Sequence, residues 1–481
     1  MIVVYVLLGF LGLLMFLLLI AYVNMLFLRK PLLNEPLQLN LEKADEYANK
    51  FKEMIKIKTI SYDESLQNSQ PFIDLKAKMR ELFPNVFKTM EIQEFNGESL
   101  ILKWVGKSDN HPLVLMSHID VVPASDDGWD YPAFSGEIKD GVIYGRGTLD
   151  TKSTVFAFYQ ACEELIESGY QPDNDVYLAS STDEETSGFG ALLTVEYLKN
   201  NGVKPFLVVD EGGTVLSDAL PSVFLPMAVV GILEKGYVNI KLTAKSFGGH
   251  SSTPPKNSPI ARLAGLVNEI ENKFPLKTKM IKEVEMIFKT AAPAMKGVYK
   301  YLFGNMWLFK GLITFLLPKI SPFGRALLST TIAFTMMKGS LAENVIPAEA
   351  YVIANLRTHP IQDVEASFKV IEKIAKKYQV EASISDQRET SSMVDVENPG
   401  YLYLKKIINK CFPDALVSPY IMLGGTDCRF YSEISDAALR FSPIRMDNQE
   451  LKKIHGINEN IKTKSLVEAI NFYKELIDNN R

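Results

Sequence analysis

Histidine and carboxylate side chains stand within or directly after several apolar runs of this 481-residue sequence. The run VLMSHIDVV carries His118 and Asp120 two residues apart, and residues at that spacing point to the same face of a β-strand. The carboxylate therefore lies within reach of the imidazole. Such a pair is either a buried histidine with an ordinary acidic partner or a metal-binding histidine that a carboxylate orients.

Further acidic residues follow other apolar runs. Asp150 comes after the glycine-rich segment YGRG, Glu184 and Glu185 follow DVYLASS, and Asp210 and Glu211 end the run FLVVDE. The glycine-rich segment is not a dinucleotide-binding fingerprint, because Asp150 replaces its third glycine. Strand ends of an α/β sheet meet at one edge, so these acids would repel one another there. A bound cation is the natural way to hold them together.

Three of the five histidines have neighbours that suit a site. His118, His250 and His455 lie in SHIDVV, FGGHSS and KIHGINEN, whereas His111 and His359 each precede a proline and are predicted to be structural. Histidine and carboxylate ligands without thiolate suit zinc, with cobalt or manganese as substitutes. One carboxylate between two metals would let them activate a shared water. The sequence has no H-E-x-x-H and no G-x-S-x-G, which argues against a single-zinc helical peptidase and a nucleophile-elbow serine hydrolase.

Alternating strand and helix patterns over residues 41–235 predict an α/β domain with a largely parallel sheet. Residues 236–390 follow a β-α-β-β-α-β order, which predicts an inserted ferredoxin-like domain. Residues 391–481 return to mixed character and would complete the first domain. The small domain is itself interrupted by an apolar stretch, 276–328. That stretch is either extra core for the small domain or an apolar patch that receives a fatty-acyl chain or touches a bilayer.

The N-terminal segment 1–30 is predicted to be an uncleaved transmembrane anchor, because no charged residue occurs between Ile2 and Leu28. Residues 31–40 would be a linker. Arg29 and Lys30 favour a cytoplasmic location for the domains that follow. The formal net charge of −5 and the lack of a basic stripe interleaved with aromatic residues argue against a nucleic-acid partner. Three widely spaced cysteines point to a reduced compartment.

Together the motifs resemble a known family. SHIDVVP, YGRGTLDTK, DEETSG, DEGG, GGHSS, ENVIP, GGTD and HGINE occur in the order found in the co-catalytic zinc hydrolases, which include aminoacylase, carboxypeptidase S, acetylornithine deacetylase and succinyl-diaminopimelate desuccinylase. The resemblance covers about residues 45–478. The segments NMWLFKGLITFLLP and TTIAFTMMKGSLAENVIPAEA look closest to the carboxypeptidase S branch, which includes N-acyl-amino-acid hydrolases.

The resemblance implies two Zn²⁺ ions per chain and a role for each motif. His118 and Asp210 would bind one zinc, Glu185 and His455 the other, with Asp150 as the bridge, Asp120 orienting His118 and Glu184 as the general base. Glu211 is a near alternative to Asp210, since the family varies between Asp and Glu at this position.

The resemblance also implies substrate-binding residues. His250, from the inserted lid and dimerisation domain, would donate to the oxyanion, often from the partner subunit of a homodimer. Asn344 and Arg357 would hold the substrate, and Gly424 and Gly425 would allow its close approach to the backbone. The expected reaction is hydrolysis of a peptide bond next to a residue with a free carboxylate. The alternatives are an N-acyl-amino-acid hydrolase that acts on fatty-acyl amino acids, and an inactive metal-binding scaffold.

Overall fold

The computed structural model describes residues 1–31, 33–62, 69–95, 99–186 and 188–481. Its helices are α1 (Ile2–Phe27), α2 (Ala44–Ile55), α3 (Gln70–Leu82), α4 (Pro84–Thr89), α5 (Lys152–Glu167), α6 (Phe189–Asn200), α7 (Pro259–Lys273), α8 (Lys282–Ala291), α9 (Gly297–Phe303), α10 (Met306–Ile320), α11 (Pro322–Leu328), α12 (Val364–Lys377), α13 (Pro399–Cys411), α14 (Cys428–Tyr431), α15 (Asn448–Leu451) and α16 (Thr463–Asp478).

The strands form one large sheet, one smaller sheet and two short ribbons. They are β1 (Glu91–Phe95), β2 (Ser99–Trp104), β3 (Ser108–His118), β4 (Glu137–Lys139), β5 (Val142–Tyr144), β6 (Asn174–Ser181), β7 (Leu207–Asp210), β8 (Thr214–Leu216), β9 (Met227–Glu234), β10 (Gly236–Lys245), β11 (Gly249–His250), β12 (Thr331–Lys338), β13 (Val345–Ile346), β14 (Glu349–Thr358), β15 (Glu381–Arg388), β16 (Leu416–Met422), β17 (Ala438–Arg440), β18 (Arg445–Met446) and β19 (Asn460–Lys462).

The large sheet has the strand order β1-β2-β6-β3-β7-β17-β9-β8-β18, and β16 also pairs with β9. Its centre is parallel, because β6, β3, β7 and β17 run in the same direction. The pairs β1–β2, β2–β6, β17–β9 and β8–β9 are antiparallel. The sheet is therefore mixed, where the sequence predicted a largely parallel one. Antiparallel neighbours need only short connections, which β1–β2 and β8–β9 have, whereas parallel neighbours need a crossover.

Apolar strands and helices bury both faces of the parallel centre. All eight residues of β6 and all four of β7 are buried, as expected for strands covered on both faces. The helix α5 follows the loop after β5 and is buried over its first twelve residues, Lys152–Glu163. Polar chemistry at the strand ends therefore rests on a rigid, dry support.

The smaller sheet is antiparallel throughout and has the order β12-β14-β10-β15. Along the chain, its strands alternate with α7 and α12 in the order β10, α7, β12, β14, α12, β15. The buried residues of β10 and β14 alternate with more exposed ones, so one face of the sheet packs on the two helices.

The helices α8–α11 occupy most of the apolar stretch 276–328. Their buried residues share one cluster with Met227 and Val229 of β9 and with Leu416 and Ile421 of β16. The core of the smaller sheet is a different cluster. The stretch therefore packs on the edge of the large sheet, and the expectation that it adds core to the small domain is wrong for α8–α11.

The helix α1 is long and apolar enough to cross a membrane, and it is the one such helix in the described ranges. A membrane anchor and a signal sequence both have this composition. None of the residues in its most apolar 18-residue window is buried. Only the C-terminal part of α1 contacts the rest of the chain.

Candidate metal centre

His118 is the last residue of β3, and its imidazole is buried. Its Nδ1 lies 3.2 Å from Asp120 Oδ1 and 3.0 Å from the Asp120 carbonyl oxygen. Its Nε2 lies 3.0 Å from Asp150 Oδ1 and 3.2 Å from Glu211 Oε1. Nδ1 is thus held by Asp120, and Nε2 faces the carboxylates of Asp150 and Glu211.

Asp150 lies between two histidines. Its Oδ1 faces His118, and its Oδ2 lies 3.0 Å from His455 Nε2. The same His455 nitrogen is 3.1 Å from Glu185 Oε2. The groups form an unbroken row, from Glu211 through His118, Asp150 and His455 to Glu185, with Asp150 at its middle.

Asp120 does more than orient the histidine. Its carboxylate accepts hydrogen bonds from the Ser61 hydroxyl at 2.7 Å and from the backbone amides of Glu184 and Glu185 at 3.2 and 3.1 Å. The expected placement of His118 and Asp120 in one strand predicts the imidazole contact alone, and the structure keeps that contact although β3 ends at His118. The contact with the two glutamates comes from the neighbouring strand β6, which pairs in parallel with β3.

Glu459 holds the loop that carries Asp150, and the sequence patterns did not identify it. Its Oε1 accepts from the backbone amides of Gly147, Leu149 and Asp150 at 3.1, 2.7 and 3.2 Å. Its Oε2 accepts from Arg146 Nη1 at 2.6 Å, and its side chain is fully buried. The only signal in the sequence is the acid four residues after His455 in HGINE.

Asp210 does not face the cluster, contrary to the sequence-based prediction. Its Oδ1 accepts from the Glu211 amide at 2.8 Å, and its Oδ2 accepts from the Cys428 amide at 2.9 Å. Both oxygens are therefore engaged by the backbone, while the next residue, Glu211, extends to His118. The alternative considered for this position is the one that the geometry favours.

Glu184 lies at the same strand end, and ligand atoms of His118, Glu184 and Glu211 lie within 4.8 Å of one another. Burial raises the pKa of Glu184 well above its usual range; the positive His118 lowers it, and negative Asp427 raises it further. A carboxyl with a raised pKa can hold a proton near neutral pH.

The cluster has the chemistry of a cation site. Burial and the charge of Asp150 raise the pKa of Glu211 to about 7, against the lowering effect of the nearby His118. Burial also raises the pKa of Glu184, so these carboxylates gain charge only at a cost. Two imidazoles and several carboxylates, with no thiolate among the described neighbours, form a donor set that suits zinc. The residues therefore fit a divalent metal.

A polar cavity of about 610 Å³ lies between this cluster and the smaller sheet. Glu184 and Glu185 line one side, and Arg357 of β14 and Arg388 of β15 line another, with Arg429 from the segment after GGTD. The guanidinium carbons of Arg357 and Arg388 lie 5.7 and 5.2 Å from the Tyr237 ring centroid. The sequence predicted Arg357 here but not the other two arginines.

The glycine pair of GGTD meets one of these arginines. A Cβ built on Gly425 would lie 2.1 Å from Arg388 Nη2, so a side chain there would displace the guanidinium. Gly424 precedes it and has Met422 Cε as the nearest atom, at 3.7 Å from a Cβ built on Gly424. At Gly425 the close approach predicted from the sequence is thus made by an arginine of the chain itself.

His250 and Asn344 are exposed and lie in a separate ribbon. β11 pairs with β13, and the Ser251 amide donates to the Asn344 carbonyl at 3.0 Å. His250 Nδ1 is 2.8 Å from the Ser252 hydroxyl. The structure places the two residues side by side on the surface, and neither of them lines the polar cavity beside Glu184.

A second cavity, apolar and about 410 Å³ in volume, is lined in part by Gly212, the residue after Glu211. Met227, Ile287, Leu327 and Phe323 line walls formed by β9 and the helices α8 and α11. No pattern in the sequence predicted its position.

The overall fold is shared with solved metallopeptidases. A metallo-carboxypeptidase from Sulfolobus solfataricus superposes with a TM-score of 0.65 at 19% identity, covering 91% of this chain and 99% of that one. Human carnosine dipeptidase 1 superposes with a TM-score of 0.63 at 15% identity, covering 90% and 96%.

Residues 114–479 match the Peptidase family M20/M25/M40, and the chain belongs to that family. It is therefore a hydrolase of peptide or amide bonds, and the resemblance drawn from the motifs is confirmed. Two similar proteins bear different names. The N-fatty-acyl-amino acid synthase/hydrolase PM20D1 of Xenopus tropicalis is 35% identical over 88% of this chain and 84% of its own length. A probable carboxypeptidase S-like protein of Dictyostelium discoideum is 34% identical over 90% and 85%.

Proposed function

We propose that the chain is a membrane-anchored, two-zinc hydrolase that cleaves the amide bond of N-acyl amino acids. The observation that carries the proposal is the position of Asp150 between His118 and His455. One zinc would be held by His118 and Glu211, the other by Glu185 and His455, and Asp150 would be shared. The zinc ions, when bound, polarise the carbonyl and lower the pKa of a water molecule.

Glu184 is the general base in this proposal. It lies among the ligands, and its raised pKa suits a group that takes up a proton and passes it to the leaving amine. Asp120 is a positioning residue that holds His118 and the Glu184 amide together. His250 would donate to the oxyanion. Its exposure on the small domain supports delivery from a second copy of the chain in a homodimer.

The carboxylate of the amino-acid product would bind the arginines of the polar cavity. Arg357, Arg388 and Arg429 all line it beside Glu184. Burial lowers the pKa of Arg388, and the charge of Arg429 lowers it further, so an anion there would relieve their repulsion. A guanidinium also matches a carboxylate in a two-point contact.

The apolar cavity favours a fatty-acyl group on the other side of the scissile bond. Gly212, next to the proposed ligand Glu211, lines it, and most of its walls are apolar. The name of the Xenopus relative, an N-fatty-acyl-amino acid synthase/hydrolase, fits such a substrate. The second candidate is a carboxypeptidase that cleaves short peptides, which the name of the Dictyostelium relative supports. The same metal centre and arginines would serve both.

The experiment that decides is amine release by the zinc-loaded full chain in detergent. N-palmitoyl-phenylalanine is compared with a blocked dipeptide that ends in phenylalanine, and Glu184→Gln is the blank. A clear preference for the palmitoyl substrate supports the proposal, and a preference for the dipeptide supports the carboxypeptidase. A chain that binds its full zinc content and hydrolyses neither substrate would refute both enzymes and support the inactive metal-binding scaffold.

The metal is tested separately. Dialysis against a chelator is expected to abolish hydrolysis, and added Zn²⁺ is expected to restore it, with Co²⁺ and Mn²⁺ as possible substitutes. Activity that survives complete metal removal would overturn the two-zinc proposal.

The cytoplasmic side is the proposed location of the hydrolase domain. Arg29 and Lys30 directly follow α1, and basic residues favour the cytoplasmic flank of a membrane helix. External protease added to intact cells should leave the domain uncut. Cleavage before lysis would place it on the opposite side.

A further inference from the structure

The helix α10 carries apolar residues well beyond those that it buries. Met306, Phe309 and Ile313 are buried in the cluster shared with β9 and β16. Leu316 and Ile320 continue the row of Phe309 and Ile313 toward the end of the helix, and Leu312 and Phe315 lie on the adjoining face; all four are exposed. Phe315 is 60% exposed and Ile320 is 77% exposed. Exposed apolar residues over this much of a helix need a second apolar neighbour.

Two further exposed aromatic residues flank these four along the chain. Trp307, near the start of α10, is 56% exposed, and Phe323 of α11 is also exposed. We define the insert face as these six exposed residues: Trp307, Leu312, Phe315, Leu316, Ile320 and Phe323.

The charge along the insert is mainly positive. Residues 286–328 contain six basic residues and no Asp or Glu, and two of the six, Lys289 and Lys310, pair with Glu285 just before this range. Lys319 lies over the Phe315 ring, 3.4 Å from its centroid. Apolar residues bordered by lysines suit a layer that has an apolar interior and anionic head groups.

The insert is joined to α1 by polar contacts. Asn24 Nδ2 donates to Asn305 Oδ1 at 2.8 Å, and Asn305 Nδ2 donates to the Ala21 carbonyl at 2.9 Å. The Tyr301 hydroxyl donates to the Leu18 carbonyl at 2.9 Å. The one strongly polar side chain of α1 is thereby paired, as polar residues in membrane helices usually are.

The length of α1 fixes the height of these contacts. A helix needs about 20 residues to cross the hydrocarbon core of a bilayer. Arg29 and Lys30 are the first charged residues after α1 and mark the end of that span, and Ala21, which is fully buried against the insert, lies about two turns before them. The contact between α1 and Asn305 therefore lies within the leaflet next to Arg29. Trp307 Nε1 lies 3.1 Å from Asn305 Oδ1, so Trp307 lies at the same level.

We propose that the insert face lies in the lipid leaflet beside α1 and that the apolar cavity opens onto this leaflet. Phe323 connects the two features, because it belongs to the insert face and also lines the same cavity as Gly212. An amphiphile in the leaflet can then slide its chain past Phe323 toward Glu211 without crossing water. The occupant of the insert face is the bilayer, and the route for the chain rests on the proposed function above.

The first test measures depth, and it needs no activity. The full chain is placed in nanodiscs that contain lipids brominated high on the acyl chain, where bromine quenches nearby tryptophan fluorescence. Of the three tryptophans, Trp104 and Trp129 belong to the hydrolase domain. Quenching is expected in the wild type and in Trp129→Phe, and it should disappear in Trp307→Phe.

Two results would overturn the lipid location. One is equal quenching in the wild type and Trp307→Phe. The other is no quenching at all. In that case Trp307 is exposed to water or is covered by a second copy of the chain, and cross-linking distinguishes the two. Lipids brominated near the chain end should quench less, because tryptophan prefers the interface.

The second test concerns the route. Ile320→Asp and Phe315→Asp should raise KM for N-palmitoyl-phenylalanine in nanodiscs by about tenfold or more. A charge on the insert face weakens its contact with the lipid leaflet. Hydrolysis of N-acetyl-phenylalanine should stay unchanged. The matched control is Ile73→Asp, an exposed isoleucine of α3 on the hydrolase domain. Equal effects on both substrates, or the same effect from the control, would overturn the route. A wild type that hydrolyses neither substrate would refute the proposed function, while the quenching result would still stand.

Discussion

The ends of β6 and β7, the two strands on either side of β3, divide their acidic residues between two roles in the same way. After β6 comes Asp183 and then Glu184 and Glu185; at the end of β7 comes Asp210 and then Glu211. Asp183 accepts from the Phe189 and Gly190 amides at 2.7 and 3.0 Å, at the start of α6. Asp210 likewise accepts from two backbone amides.

In both places the short aspartate binds the backbone and the longer glutamates reach the cluster. Glu184, Glu185 and Glu211 all lie with the histidines. A run of adjacent acids therefore indicates a functional strand end but does not indicate the role of each acid. The role depends on which hydrogen-bond donors each carboxylate meets, and most of those donors belong to other parts of the chain.

The largest expected effect separates the two glutamates after β6. Glu184→Gln should lower turnover by about 10³-fold, because it removes the proposed base, and should leave the zinc content unchanged. Glu185→Gln is the matched variant and should lose zinc. Metal analysis and turnover measured on the same preparations check this. Loss of zinc in Glu184→Gln would make it a ligand rather than the base.

The next effect separates the two acids of β7. Glu211→Gln should lose one zinc and more than about 100-fold in turnover, since a lost ligand should cost more than a lost outer contact. Asp210→Asn should keep both zinc ions and lower the free energy of unfolding by about 1–3 kcal/mol, because a buried amide loses its acceptor. Metal content and chemical denaturation are measured for both. The reverse result would restore Asp210 as the ligand.

A smaller effect is expected at Asp120, the acid that contacts both the end of β3 and the segment after β6. Asp120→Asn should weaken zinc affinity by about 10–100-fold, because Asp120 holds His118 and the amides of Glu184 and Glu185. Competition with a fluorescent chelator measures the affinity. An unchanged affinity would show that the histidine is oriented by the Asp120 carbonyl alone.

The smallest effect on activity is expected at Asp183. Asp183→Ala should cost about 1 kcal/mol of stability, because it removes a carboxylate from the first amides of α6. Turnover per folded molecule should stay within about threefold of wild type, an effect of less than 1 kcal/mol. Thermal unfolding and turnover are compared with Asp210→Asn. A large loss of turnover would place Asp183 in the catalytic machinery.

The sequence was informative where the chemistry is local. Strand-end patterns predicted where His118, Asp150 and Glu184 would meet, because hydrophobic runs and polar ends mark strands directly. It could not separate Asp210 from Glu211, since the deciding Cys428 amide is 218 residues away in the chain. Arg388 and Arg429 were missed for the same reason, because only the folded chain brings β15 beside the segment after GGTD.

The insert illustrates a different limit. Its apolar residues occur around most of α10, so periodicity does not reveal which of them pack inward. The buried side is decided by β9 and β16, strands that come from two different segments of the large sheet. Composition could suggest an apolar patch, but its place beside α1 depends on Asn305.

The contact between Glu459 and the Asp150 amide spans 309 residues. On a ribosome that adds about 5–20 residues per second, the Asp150 loop is made roughly 15–60 s before the acid that holds it. Glu185 is likewise synthesised 270 residues before His455, which it contacts. Metal uptake at full affinity is therefore a late event in biosynthesis. A chain truncated before His455 would leave the ribosome without the full set of metal ligands.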